Sequence, residues 1–196
     1  MILVAGCSYC DQYHNDYPVW PYLLGTDVIN IARSGYSNIQ IKNSLKQYFL
    51  KNVNKVDFCI VSWTQWNRKQ FKTYHIDHFD DIIELVKTNL QSMIQTNELL
   101  KSIDVPYISF QMLPPFPIYT KQILEEVGKY SNLCIGYPGM EELGGYNLLY
   151  KLQLEENKLL REDKHPNKEG NELLADTIYK YIKDGNYNSL TEEIKL

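Results

Sequence analysis

Three short segments carry groups of the types that catalyse acyl transfer. Ser8 supplies a hydroxyl nucleophile, and His165 supplies an imidazole base with Asp163 two residues before it. Gly35 lets the backbone approach a ligand closely and offers its N–H group as a hydrogen-bond donor. A nucleophile, a base, an orienting carboxylate and an oxyanion donor are the groups that acyl transfer needs. These residues lie far apart in the chain, so the fold must bring them together.

Strands and helices alternate along the chain. Short apolar runs rich in β-branched or aromatic residues predict strands over residues 2–5, 28–32, 56–62 and 107–111, with a fifth candidate over 133–136. Amphipathic stretches predict helices that begin near Ser37 or Asn38 and at Asp80, and further helices over 119–129, 146–160 and 168–183. Such alternation implies parallel βαβ units and a sheet covered on both faces.

The predicted strand ends place the reactive segments at one edge of the sheet. Ligands of such sheets bind in the crevice beyond the carboxyl ends of the strands. Ser8 follows the first predicted strand, Gly35 follows the second, and residues 63–79 follow the third. Asp163 and His165 come just before the last helix. The four segments are therefore expected to line one crevice.

The order of these segments resembles that of the SGNH (GDSL-type) hydrolases. The family's first block reads Gly-Asp-Ser and its second carries an oxyanion-hole glycine, and Ser8 and Gly35 match these positions. Its last block has an aspartate two or three residues before His-Pro, matched by Asp163 or Glu162 before His165. The resemblance covers residues 2–182. It implies a three-layer α/β/α sandwich with a flavodoxin-like, mostly parallel five-stranded sheet, and ester hydrolysis by Ser8, His165 and Asp163.

Two positions depart from the family's pattern. Cys7 stands where the family has a non-catalytic aspartate, and Thr64 stands where it has an asparagine that donates to the oxyanion. The resemblance implies an oxyanion hole made by the N–H groups of Ser8 and Gly35 with Thr64 or Asn67. Losing one such donor can cost about 100-fold in rate. A weak or inactive domain that binds a glycan or a protein is therefore the alternative function.

Aromatic residues are frequent in the segments that follow the strands. Trp63 and Trp66 are the first candidates for stacking on a sugar ring or gripping an acyl chain, and Tyr9 is a further one. Arg68 is one of three arginines and lies in the same loop as the two tryptophans. It is a candidate for binding an acidic group of the substrate, or for pairing with Asp77 or Asp80.

Two other chemistries are open from residue spacing. Cys7 and Cys10 form a C-x-x-C pair after a strand, a pattern found in thiol-redox proteins. His75 and His78 are spaced like metal ligands, but no second pair accompanies them, so a solvated loop is the favoured interpretation. We therefore expect no metal and no cofactor.

Composition bounds the classes that remain. The 196 residues are 44% hydrophobic, which suits one domain over 1–185 followed by a polar tail over 186–196. The net charge of −4, with no basic stripe, disfavours nucleic-acid binding. No apolar run approaches the ~20 residues that cross a bilayer, and no basic region precedes the first apolar run. We expect a cytoplasmic protein whose four cysteines are thiols.

The sequence thus predicts a serine ester hydrolase. The expected substrate is a small-molecule or carbohydrate ester, with O-acetyl groups on a carbohydrate as the candidate. The family resemblance and the aromatic residues support that choice of substrate. The sequence does not determine the oligomeric state.

Overall fold

Parallel strands flanked by helices make up the structure. The computed structural model describes residues 1–12, 15–25, 27–52, 55–66, 68–69, 72–73, 79–113, 148 and 152–185. The elements in chain order are β1 (Ile2–Ala5), α1 (Trp20–Leu23), β2 (Val28–Asn30), α2 (Asn38–Asn52), β3 (Phe58–Trp63), β4 (Arg68–Lys69), β5 (Lys72–Thr73), α3 (Phe79–Ser102), β6 (Tyr107–Gln111) and α4 (Lys168–Lys183).

The main sheet has four parallel strands in the order β2-β1-β3-β6. At the centre of the sheet β1 pairs with β3, and their register runs from Ile2 opposite Phe58 to Ala5 opposite Val61. This order confirms the predicted parallel, flavodoxin-like sheet for these four strands. The fifth predicted strand, over 133–136, lies outside the described residues, so the structure shows four strands where the sequence predicts five.

Helices cover both faces of the sheet, so the predicted three-layer architecture is confirmed. Successive residues of a strand point to opposite faces. Leu3 and Ala5 of β1 pack with Ile41 and Leu45 of α2 in one fully buried cluster. Val4, from the same strand, packs in a second cluster on the other face, with Trp20 of α1 and Leu174 and Ile178 of α4. Burial on both faces explains why the strands are mostly apolar.

Some element boundaries differ from the sequence-based ones. β2 ends at Asn30 rather than at residue 32, and the Asn30 side chain accepts a hydrogen bond from the Ala32 N–H at 3.1 Å. The helix predicted over 146–160 is wrong for residues 152–158, which form turns. Gln153 and Lys158 have φ values of 50° and 56°, which a helix excludes.

The longest helix packs against the sheet. α3 has 24 residues and contributes Met93 and Leu100 to the first core cluster. It also carries buried polar side chains, including Asn89, Ser92 and Thr96. In the parts of the chain that the structure describes, no helix is both long and apolar enough to cross a membrane.

Candidate active site

The segments after β1 and β2 and before α4 meet in a cleft at one edge of the sheet. The cleft has a volume of about 40 Å³ and is lined by Ser8, Asp11, Asn15, Ser34, Arg161, Asp163 and His165. It therefore brings the predicted nucleophile, base and carboxylate together. Asp11, Asn15, Ser34 and Arg161 join them and are not predicted from the sequence.

The backbone around Ser8 is held on both sides. Ser8 lies in a turn closed by a 3.0 Å hydrogen bond from the Cys10 N–H to the Cys7 carbonyl. The Trp20 indole N–H donates to the Tyr9 carbonyl at 3.0 Å, and the Asn30 side chain donates to the Cys10 carbonyl at 2.6 Å. These bonds fix the turn, and the half-buried Ser8 side chain remains at the cleft.

His165 lies in a closed loop that leads into α4. The Arg161 N–H donates to the His165 carbonyl at 2.8 Å, and Leu160 forms an antiparallel bridge with Pro166. Asn167 ends the loop as the N-cap of α4, since its side chain accepts from the Gly170 N–H at 2.9 Å. Such a cap satisfies an N–H group that the helix leaves free. The loop and the helix start therefore hold the histidine as one unit.

The contacts of the His165 ring favour one tautomer. Its Nδ1 atom lies 3.2 Å from the Asp163 carbonyl oxygen and 3.4 Å from Asp163 Oδ1. Two acceptors on that side keep the proton on Nδ1. Nε2 is buried and has no hydrogen-bond partner among the described residues. Its lone pair is therefore available to take a proton.

Ser8 and His165 share the cleft without a hydrogen bond between them. The unpartnered Nε2 atom shows that the Ser8 hydroxyl does not reach it in this structure. Catalytic hydrogen bonds are often long in ligand-free enzymes and tighten when substrate binds. The arrangement therefore places both groups at one cleft.

Tyr9 contacts the histidine from one side. Its ring stacks on the His165 ring with centroids 4.4 Å apart and an interplanar angle of 27°. Its hydroxyl donates to the Lys164 carbonyl at 3.0 Å, and burial, first of all, raises the pKa of this phenol. Tyr9 is only 9% exposed, so the predicted position on an exposed aromatic rim is wrong. The ring instead orients the imidazole.

Asp163 rather than Glu162 contacts the histidine. Asp163 Oδ1 accepts from the His165 backbone N–H at 3.1 Å, and its Oδ2 pairs with the Arg161 guanidinium at 2.8 Å. Burial raises the pKa of this carboxyl, but the His165 hydrogen bonds and the charge of Arg161 outweigh it, so the pKa lies below its ordinary value. Glu162 is exposed and has no hydrogen bond or ion pair with the described residues.

The substitution Arg161→Gln is expected to raise the pKa of Asp163, because it removes a positive charge that lowers this pKa. A lowered carboxyl pKa stabilises the folded state above the unfolded pKa of about 3.9, and this stabilisation is lost as the pH falls through the lower folded pKa. The Asp163 side chain is 56% exposed, so the loss in free energy of unfolding at neutral pH should not exceed about 1 kcal/mol. Carboxyl NMR titration and urea unfolding at neutral and acid pH measure both effects.

Lys164→Gln is the matched control for this prediction. Lys164 pairs with Glu155 in the same loop, and both side chains are largely exposed. Its loss should leave the pKa of Asp163 unchanged. An Asp163 pKa that is the same in Arg161→Gln and in wild type would contradict the assigned role of Arg161.

Besides the Ser8 N–H, the predicted oxyanion donors follow β2 and β3. Gly35 has a φ of 83°, a left-handed conformation that favours glycine in this turn. Thr64 is fully buried and its hydroxyl has no hydrogen-bond partner. The described residues that line the cleft include neither of them. Asn67 lies outside the described residues, so the composition of the oxyanion hole stays a prediction.

Buried amide side chains hold the loop after β3 in place. The Asn38 side chain accepts from the Thr64 N–H at 2.9 Å and donates to the Thr64 carbonyl at 3.2 Å. Gln111 donates to the same carbonyl at 2.7 Å and accepts from the Trp66 indole at 3.2 Å, and Asn89 donates to the Trp66 carbonyl at 2.6 Å. Sequence reasoning missed this network. Its one signal is Gln111, a polar residue at the end of an apolar strand.

The two tryptophans after β3 lie in the core. Trp63 and Trp66 have no exposed surface and pack with the α2 and α3 side of the sheet. The prediction that they form an exposed aromatic rim is therefore wrong. Burial of a tryptophan contributes a large apolar surface, and the hydrogen bond from Trp66 to Gln111 satisfies its indole N–H. Arg68 is half-buried at the start of β4.

The alternative chemistries find little support. Cys7 and Cys10 are free thiols with no exposed surface, and burial raises the pKa of Cys10. Redox cysteines need an accessible thiol with a lowered pKa, so the redox alternative is not supported. His75 and His78, with Asp77, lie outside the described residues. Within the described part of the chain, no three His, Cys, Asp or Glu side chains group as metal ligands would.

Asp11 completes the cleft on the side of the β2 loop. Asp11 Oδ2 accepts from the Ser34 N–H at 2.6 Å, which ties the segment after β1 to the segment after β2. The Asn15 side chain donates to the Asp11 carbonyl at 3.3 Å. Asp11 follows Ser8 by three residues, and that proximity in sequence is the only signal for its position.

Comparison with known proteins identifies esterases of similar structure. The psychrotrophic esterase EstA from Pseudoalteromonas sp. is 16% identical with a TM-score of 0.63, over 94% of this chain and 97% of that chain. The acetylxylan esterase Axe2 from Geobacillus stearothermophilus is 12% identical with a TM-score of 0.62, over 92% and 93%. TesA is 13% identical with a TM-score of 0.58, over 94% and 99%.

Sequence comparison gives no further relative. No family model and no curated protein sequence matches the chain. The structural likeness nevertheless spans nearly the whole of each chain. The chain therefore has an SGNH hydrolase-like fold.

Proposed function

We propose that the protein is a serine ester hydrolase that removes O-acetyl groups from a carbohydrate. One observation carries the proposal. Ser8 and His165 line the same cleft, and the imidazole has acceptors on its Nδ1 side and an unpartnered Nε2. This is the arrangement of a general base beside a hydroxyl nucleophile.

The chemistry follows from these positions. Ser8 Oγ attacks the ester carbonyl while His165 Nε2 takes the hydroxyl proton. Asp163 faces the other side of the ring and stabilises its charged form. His165 then gives the proton to the departing alcohol oxygen. Water, deprotonated by His165, cleaves the acyl-enzyme and restores Ser8.

The oxyanion is assigned to donors at the ends of β1, β2 and β3. The backbone N–H groups of Ser8 and Gly35 are two of them, and Thr64 or Asn67 supplies the third. Donors aimed at the developing negative charge contribute a large part of the rate of acyl transfer. The amide network around Thr64 fixes the backbone of the β3 loop, which carries this third donor.

The structural neighbours support both the reaction and the candidate substrate. Axe2 is an acetylxylan esterase, and variants with a serine, an aspartate or a histidine replaced by alanine are catalytic mutants of it. The aspartate precedes the histidine by three residues in that protein, which corresponds to Glu162 here. The contacts of Asp163 with His165 favour Asp163 as the orienting carboxylate in this chain.

A fluorophosphonate probe tests the proposal directly. The activated Ser8 is expected to form a covalent adduct that peptide mass spectrometry assigns to residue 8, and acetylated xylo-oligosaccharides are expected to release acetate. Ser8→Ala should lose both reactions. Ser102→Ala, which changes a serine at the end of α3, should keep both. Labelling that is equal in wild type and Ser8→Ala would contradict the proposal.

A domain that binds a glycan or a protein without hydrolysis is the second candidate. Thr64 favours it, because its hydroxyl is buried and its backbone is held by Asn38 and Gln111. This function predicts that acetylated oligosaccharides bind to wild type and to Ser8→Ala with equal affinity and that no acetate is released. Release of acetate that depends on Ser8 would exclude it.

A further inference from the structure

Arg68 carries a positive charge that the described structure leaves without a partner. Its Nη1 atom is buried and makes no hydrogen bond, and Arg68 forms no ion pair with the described residues. The other two arginines differ from it, because Arg161 pairs with Asp163 and Arg33 is exposed. A buried donor without a partner costs about 1–3 kcal/mol, and more when it is charged. An arginine kept in this state indicates a site for an anion.

The backbone before Arg68 is fixed. The Trp66 carbonyl accepts from Asn89 at 2.6 Å, and the Arg68 N–H lies 3.4 Å from the Gln65 carbonyl in a turn. Arg68 then begins β4, where it pairs with Thr73 of β5. The guanidinium is therefore carried by a braced hairpin rather than by a free loop. Fixing the backbone that carries the side chain before the ligand arrives reduces part of the entropy cost of binding.

The hairpin follows β3 at the edge of the sheet where the cleft lies. β1 and β3 are adjacent and parallel, with Ala5 opposite Val61, so the segments after both strands leave at the same edge. The charge of Arg68 acts on the Tyr9 phenol in the direction that lowers its pKa, although burial dominates that pKa. The Tyr9 ring in turn stacks on His165. The hairpin therefore begins at the sheet edge that holds the cleft, and the charge of Arg68 is close enough to act on Tyr9.

We propose that Arg68 binds a carboxylate on the alcohol part of the ester, so that the preferred substrates are O-acetylated acidic sugars. This inference rests on the proposed hydrolase function. A guanidinium presents paired N–H donors in a planar fork that matches the two oxygens of a carboxylate. The carboxylates of the cleft do not compete for this site, because Asp163 pairs with Arg161 and Asp11 accepts from the Ser34 N–H.

A pair of esters that differ only in charge tests the proposal. 4-Acetoxybenzoate carries a carboxylate on its leaving group, and 4-acetoxybenzamide is its neutral counterpart. The wild-type protein is expected to have a higher kcat/KM for 4-acetoxybenzoate than for 4-acetoxybenzamide. In Arg68→Gln the ratio of the two kcat/KM values should fall about 10- to 100-fold, the range for a charge-assisted hydrogen bond. Arg68→Lys keeps the positive charge but loses the planar pair of N–H donors. Its ratio of kcat/KM values should lie between those of wild type and Arg68→Gln.

Lys51→Gln is the control for a change in net charge. Lys51 is exposed in the last turn of α2, which precedes β3, so it lies at the sheet edge opposite the cleft. Its ratio of kcat/KM values should equal that of wild type. A ratio that is the same in wild type, Arg68→Gln and Arg68→Lys would overturn the proposal. A ratio that falls as much in Lys51→Gln as in Arg68→Gln would also overturn the proposal.

Binding measurements separate this inference from the proposed function. Calorimetry with Ser8→Ala uses 4-acetamidobenzoate and 4-acetamidobenzamide, which are amides and resist hydrolysis. Tighter binding of the anion that depends on Arg68, together with no esterase activity in wild type, would overturn the hydrolase function and keep the anion site. Hydrolysis that depends on Ser8 with no charge preference in binding or turnover would overturn the anion site alone.

Discussion

Replacing Ser8 with alanine is expected to lower kcat for p-nitrophenyl acetate by about 10⁴-fold or more. In serine hydrolases the loss of the nucleophile removes the covalent route and leaves only the rate due to binding and the oxyanion donors. Ser8 is the hydroxyl that the turn after β1 presents to the cleft beside His165. Burst kinetics under substrate excess measure the acyl-enzyme and the turnover in one experiment.

The same prediction extends to His165 and to the double variant. His165→Ala is expected to lose as much as Ser8→Ala, and the double variant should lose no more than either single variant. Residues that act as one unit show this strong non-additivity, whereas independent contributions multiply. The pattern follows from the roles assigned here, because an imidazole without its nucleophile has no proton to take.

Ser34→Ala is the control within the cleft. Ser34 also lines the cleft, but its backbone N–H is engaged by Asp11, and no imidazole contact involves its hydroxyl. This variant should keep covalent labelling by a fluorophosphonate. Labelling that moves from Ser8 to Ser34, or a double variant that multiplies the two single losses, would show that Ser8 and His165 do not form one catalytic unit.

The fold was predictable where the apolar pattern is continuous and the end signals are strong. β1, β6 and α4 have the bounds that the sequence predicts. Asn167, directly before α4, is of a residue type that commonly caps helices. The turns over 152–158 were missed because the sequence there has helical periodicity. The positive φ values of Gln153 and Lys158 depend on tertiary contacts, which a local pattern does not show.

The site was predictable only in part. Ser8, Asp163 and His165 follow from motif order and from the rule that strand ends share one edge. Trp63 and Trp66 were misplaced because a large aromatic after a strand suits a rim and a core equally well. Asn38, Asn89 and Gln111 form hydrogen bonds that satisfy the backbone of this loop and the Trp66 indole. Such pairings join residues that are far apart in sequence, so no local pattern reveals them.

Gly170→Ala is expected to impair both stability and activity. A Cβ at this position would lie 2.3 Å from the Leu159 carbonyl oxygen and 3.2 Å from the Pro166 Cβ. Alanine is favoured over glycine in a helix by about 1 kcal/mol, but this backbone contact cannot yield without moving the loop. Overpacking of this kind costs about 1–3 kcal/mol, occasionally more. Because a backbone oxygen cannot move aside, the clash should cost about 3 kcal/mol, the upper end of that range, which leaves a net loss of about 2 kcal/mol in the free energy of unfolding.

The activity should fall further than the stability requires, because the displaced loop carries His165. The Asn167 N–H donates to the same Leu159 carbonyl at 2.9 Å, so withdrawal of α4 from Leu159 pulls the segment that contains the imidazole. A shift of about 1 Å in a catalytic group can cost about 100-fold in rate. Urea unfolding and kcat for p-nitrophenyl acetate measure the two effects, with Lys168→Ala, an exposed change in the same helical turn, as control. Equal stability and kcat in Gly170→Ala and wild type would show that the contact between α4 and Leu159 does not position His165.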